Sequence, residues 1–115
     1  MSPRQRQEKQ TPHYVLSDVL KAWHEQGDVN TTARTAEFLE NELGLSGAQD
    51  RLRFIAGIQR TDFHKSLCHW DDHRVWHDVY RPTFTMADGS LRDLYVKITV
   101  TEFGGPFLLI QTKDK

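Results

Sequence analysis

From Leu94 to Thr101 the chain reads LYVKITVT, and every second residue is apolar. Leu94, Val96, Ile98 and Val100 fall on one parity; Tyr95, Lys97, Thr99 and Thr101 fall on the other. Side chains alternate across a β-strand but recur about every 3.6 residues along a helix, so only a strand sorts these residues onto two faces. One face of such a strand is apolar and must be covered. The chain therefore has to supply neighbours within a sheet and a second layer to lie on it.

The neighbours are legible downstream and upstream. FLLIQTK follows the turn signal GGP, and Asp88-Gly89 in MADGS is a hairpin signal between two strand-like runs. The C-terminal half reads as an antiparallel meander. The second layer comes from the first 60 residues. Ser17 is placed to cap DVLKAWHEQ, with Val19, Leu20 and Trp23 on one face and Gly27 as the stop. Thr31 or Thr32 caps ARTAEFLENEL, with Ala36, Leu39 and Leu43 in one stripe before Gly44. Ser46 and Gln49 have the spacing of a capping box for GAQDRLRFIA, with Leu52, Ile55 and Ala56 inward and Gly57 near the end. Helices first and strands after give an α+β class, with N-terminal helices packed on one face of an antiparallel β-sheet.

A length of 115 residues fits one domain, spanning 11–115, that folds without staples. Residues 1–10, MSPRQRQEKQ, are polar and aperiodic and read as a disordered or frayed tail. Cys68 is the single cysteine, so no intramolecular disulfide is available. No apolar run is long enough for a membrane span, and no signal-peptide core follows Met1; the expectation is a cytoplasmic protein with no membrane partner. A net charge of −1 neither favours nor excludes a nucleic-acid partner, because local patches decide that.

FHKSLCHWDDHRVWHDVYRP, Phe63 to Pro82, holds four of the six histidines and the cysteine. On a helix, His69, His73 and His77 would share a face as metal ligands. Asp71-Asp72 reads instead as a turn, and Val75, Trp76, Val79 and Tyr80 are strand formers. Two strands are expected, about Asp62–His69 and Arg74–Phe84. Period two then disperses the imidazoles, so no metal site and no cofactor are expected. His13, His24, His64, His69 and His73 read as structural or surface residues.

Several blocks in order, TPHYVLSDVLKAWHEQGDVNTT, ENELGLS, TDFHKSL, DDHRVWHDVYRP and LYVKITV, resemble the motility quorum-sensing regulator (MqsR) toxins. The resemblance runs from about Thr11 to Lys113. It implies a RelE-like fold and the activity of a type II toxin–antitoxin endoribonuclease. It further implies metal-independent, sequence-specific cleavage of single-stranded mRNA near GC-containing sites such as GCU. The implied partner is a cognate antitoxin with a zinc-binding domain and a helix-turn-helix domain that binds DNA. Carried over residue by residue, the family's functional positions fall on Lys65, Tyr95 and Lys113. The position in WxDVYRP, glutamine in some members, is His77 here.

Metal-free RNA cleavage uses the RNA's own 2′-OH. It attacks the adjacent phosphate, displaces the 5′ oxygen, and leaves a 2′,3′-cyclic phosphate and a 5′-OH. The protein must accept one proton, donate another, and stabilise the phosphorane. Alternation puts Lys65, His77, Arg81, Tyr95, Lys97 and Lys113 on faces compatible with one side of the sheet. On this reading His77 is the general base or acid; alternatively a lysine or Tyr95 moves the proton and His77 is an addition. Lys65 and Lys113 bind the scissile phosphate, with Arg81 and Lys97 as further RNA contacts, and Tyr95 orients the 2′-OH, donates to phosphate or stacks a base. The competing readings are a catalytically weak RNA-binding or regulatory module on the same fold, and a metal-binding domain built on the histidine run.

Overall fold

The computed structural model describes residues 7–68, 74–101 and 105–111. The chain runs through β1 (Glu8–Lys9), α1 (Leu16–Gln26), α2 (Ala33–Leu43), α3 (Ala48–Ala56), a 3-10 turn at Arg60–Asp62, β2 (Phe63–Cys68), β3 (Trp76–Tyr80), β4 (Thr83–Thr85), β5 (Leu91–Asp93), β6 (Tyr95–Thr101) and β7 (Gly105–Gln111). β1-β2-β3-β6-β7 form a five-stranded sheet, and every pairing in it is antiparallel. β4 and β5 form a separate two-stranded hairpin. The α+β expectation holds.

The helix stops follow the glycines. Gly27 (φ 83°) and Gly44 (φ 71°) take the left-handed conformation that ends α1 and α2, where a side chain would be strained. Thr32 caps α2 by accepting from the Thr35 backbone N–H. The other two starts differ from expectation. α1 begins one residue before Ser17, with extended Val15 at the N-cap and no side-chain bond. α3 begins after Gly47 (φ 90°), and Asp50, not Gln49, accepts from the Ser46 backbone N–H at 3.3 Å.

Two strand boundaries also differ. The run expected over Arg74–Phe84 splits, because β3 ends at Tyr80 and Thr83–Thr85 pair with β5 instead. Pro82 has no N–H to donate to a ladder, so the chain leaves the sheet there. Glu8 and Lys9, inside the expected tail, pair with Leu67 and Ser66. Such pairing uses main-chain groups, which the polar side chains around them do not advertise. The Lys9 ammonium also lies 4.1 Å from the Trp76 ring centroid. The turn expected at Asp71–His73 lies outside the described residues.

The helices cover one face of the sheet. Trp23, Leu39 and Ile55 from α1, α2 and α3 pack with Tyr80, Val96, Ile98 and Leu108, all essentially inaccessible. Burial on this scale is the dominant favourable term in folding. The Trp23 indole N–H donates to the Pro106 carbonyl at 2.9 Å, so its one polar atom is not stranded. Asp78 also lies on this face and is buried. Its carboxylate accepts from the His13 N–H (3.0 Å), the Tyr14 N–H (2.9 Å) and the Ser66 hydroxyl (2.6 Å). That carboxylate pins the segment before α1 onto β2 and β3.

Candidate active site

The register of the sheet decides which side chains share its other face. Cross-strand partners lie on the same side, and successive residues alternate. Lys65 pairs with Val79, Val79 with Lys97, and Lys97 with Leu109. This row runs across four strands on the face opposite the helices. One step along, Leu67 pairs with His77. One step the other way, Tyr95 pairs with Gln111. Continuing the β3–β6 register by one residue sets Arg81 beside Tyr95, just past the end of β3.

Lys65 and Lys97 thus flank Val79, roughly 10 Å apart at about 4.8 Å per strand. Val79 is fully buried although it faces away from the helices. Lys65 and Lys97, its partners on either side, are both half-buried. His77 is one strand repeat from Val79 along β3, and Tyr95 is one repeat from Lys97 along β6. His77 is half-buried and its Nδ1 is inaccessible. Arg81 is exposed, and its backbone N–H donates to the Asp62 carbonyl at 2.8 Å, which holds the chain as it leaves the sheet.

Lys65, His77, Tyr95 and Lys97 therefore meet on one face, and Arg81 adjoins it. Lys113 lies outside the described residues. An Arg81–Asp78 ion pair, the ordinary structural alternative, does not form; the Asp78 carboxylate faces the other way and is engaged by three donors. A β-bulge between Phe63 and Lys65 matters here. Phe63 pairs with Tyr80 and packs on the core, while Lys65, two residues on, faces outward.

Chemically the face offers ammonium and guanidinium groups, an imidazole and a phenol within one patch. Cations of this density bind a phosphodiester, and the imidazole and phenol can move protons or orient a hydroxyl. Among the described residues no cluster of histidine, cysteine and carboxylate groups is spaced to hold a metal ion. A second feature was not legible in the sequence. A groove of about 640 Å³ opens beside this face, between α2 and β7, with Lys97 at its rim. Its α2 residues, Arg34, Phe38 and Asn41, are separated by more than 50 residues from Lys97, and in sequence they read only as the outer side of a helix.

Comparison with known proteins identifies the family. Residues 11–114 match the family model described as "Motility quorum-sensing regulator, toxin of MqsA". The mRNA interferase toxin MqsR of Escherichia coli (strain K12) is 38% identical over 108 residues, covering 94% of this chain and 99% of that protein. The chain belongs to the motility quorum-sensing regulator toxin family.

Proposed function

We propose that this chain is an mRNA endoribonuclease toxin whose active site is the sheet face carrying Lys65, His77 and Tyr95. The observation that carries this reading is the register, which gathers these residues with Lys97 from separate strands onto the face the helices leave uncovered. The similarity to an mRNA interferase supports the substrate class.

The reaction is transesterification without a metal. The scissile phosphate sits over the Lys65–Val79–Lys97 row. Lys65, Lys97 and the Arg81 guanidinium stabilise charge as it grows on the phosphorane oxygens. His77 accepts the 2′-OH proton through Nε2, a general-base role that an imidazole can fill. Tyr95 orients the attacking ribose or donates to the departing 5′ oxygen. Lys113, two residues beyond the end of β7, completes the cationic set. The products are a 2′,3′-cyclic phosphate and a 5′-OH. Within this reading the fold is RelE-like, cutting is favoured at GC-containing sites such as GCU, and a zinc-binding, helix-turn-helix antitoxin neutralises the toxin in the cytoplasm.

The test is incubation of the purified chain with a single-stranded RNA carrying one GCU site, in excess EDTA, followed by mapping of both ends. A cyclic phosphate and a 5′-OH at that site are expected. Cleavage only after zinc or magnesium is added would overturn the metal-free mechanism. Binding without cleavage under either condition would favour a non-catalytic RNA-binding module.

A further inference from the structure

The groove beside the active face has its own composition. One wall is the outer side of α2, where Arg34, Phe38 and Asn41 recur at the spacing of a single helix face. The other wall wraps the edge of the sheet. Leu109 pairs with Lys97 on the face away from the helices, while Ile110 lies on the helix side, and both line the groove. The groove therefore begins at Lys97, on the catalytic face, and turns around β7 toward α2. At about 640 Å³ it has the size of a small-ligand site.

Its chemistry is that of single-stranded RNA recognition. Arg34 offers a planar cation that grips a phosphate with two donors. Asn41 offers an amide that pairs with the polar edge of an unstacked base. Phe38 offers an aromatic surface. Two carboxylates also line it. Glu42 is compensated by Arg92, at 3.3 Å, whose guanidinium carbon also lies 5.2 Å from the Phe38 ring centroid. Glu37 accepts from exocyclic amino groups and disfavours a phosphate at its own end. The lining thus carries both cations, Arg34 and Lys97, and groups that can read a base edge, Glu37 and Asn41.

Resting on the nuclease reading, we propose that this groove is a nucleotide subsite. It holds a nucleotide flanking the scissile bond of single-stranded RNA, with Arg34 on its phosphate and Asn41 on its base edge. From β2 to β7 is three strand steps, roughly 14 Å, so the flanking strand runs across the sheet face before it turns into the groove. The subsite lets the enzyme select sequence context at a distance from the reacting atoms.

Two measurements on wild type, Arg34→Ala and Asn41→Ala test it. The first is kcat/KM with the distribution of cut sites on a randomised RNA pool. The second is binding, over a series of salt concentrations, of an oligonucleotide with a 2′-deoxy nucleotide at the scissile position. Asn41→Ala is expected to lower kcat/KM about tenfold and flatten the preference at one flanking base. Arg34→Ala is expected to weaken binding at every sequence and reduce the salt slope by about 0.7. Both effects appear in KM, with kcat at saturating RNA retained. Variants with unchanged thermal unfolding, wild-type kcat/KM and an unchanged flanking profile would overturn the subsite while leaving the nuclease intact. A wild-type chain that binds RNA without cutting it, more weakly in Asn41→Ala, would overturn the nuclease and uphold the subsite. Absence of both binding and cleavage would overturn both.

Discussion

His77 and Asp78 show how one residue step along β3 changes a side chain's occupation. His77 faces the helix-free side with Nδ1 buried; Asp78 faces the helices and takes three hydrogen bonds. Two predictions belong at this scale. His77→Gln keeps the side chain's length and polarity but cannot carry a proton at neutral pH. It should lower kcat by at least about a hundredfold and abolish any limb of the pH–rate profile that the imidazole sets. An unchanged profile would move proton transfer to a lysine or to Tyr95. Asp78→Ala leaves three donors facing a dry site and should cost about 3 kcal/mol in denaturant unfolding. Hydrogen exchange should quicken first at the His13 and Tyr14 amides, which lose their acceptor. The outward-facing set of Lys65, His77, Tyr95 and Lys97 was legible because alternation starts cleanly at Lys65. Counted from Phe63 it fails, since the bulge reverses the parity between those two residues.

At the scale of elements, the strongest sequence signals were those with a single physical cause. Left-handed glycines ended α1 and α2, Thr32 capped α2, and Asp88-Gly89 made the β4–β5 turn, where Asp88 accepts from the Ser90 N–H and hydroxyl at 2.9 and 2.6 Å. The misplaced boundaries involve competition. Ser17 was an available cap, but the chain enters the helix earlier from Val15. Thr83–Thr85 look like a continuation of β3, but Pro82 cannot extend the ladder and the hairpin captures them. β1 carries no pattern because main-chain pairing does not need one. The groove was illegible for another reason: it is formed by elements joined only through the folded sheet. Thr32→Ala removes the cap on α2 and should cost about 1 kcal/mol, measured by urea unfolding. The cost should exceed that of Ser17→Ala, whose hydroxyl caps nothing.

For the whole molecule, the two faces of one sheet divide the labour. The helix side stores stability, and the opposite side concentrates charge that a core could not tolerate. Stability should therefore respond to pH through groups on the helix side. Burial pushes the Tyr80 phenol up to about 12, with the neighbouring Asp78 carboxylate adding to the effect. The folded value lies above the unfolded value of ~10, so this contribution is complete below pH ~10 and is lost as pH rises through about 12. Tyr80→Phe should flatten that alkaline fall. At the acid end, hydrogen bonds from Arg51 at 2.8 and 2.9 Å hold the Asp28 carboxyl below its ordinary value. Its stabilisation is present above the unfolded carboxylate range and disappears as pH falls through the lowered folded value, a loss that Asp28→Asn should remove.

The central claim, that the helix-free face cuts RNA, is tested most directly by single-turnover cleavage. Lys65→Ala and Tyr95→Phe would be compared with Arg53→Ala, an exposed change on α3 across the sheet, at matched thermal stability. The account predicts a drop of about a hundredfold or more for the first two and a wild-type rate for the third. Wild-type rates in Lys65→Ala and Tyr95→Phe would contradict it.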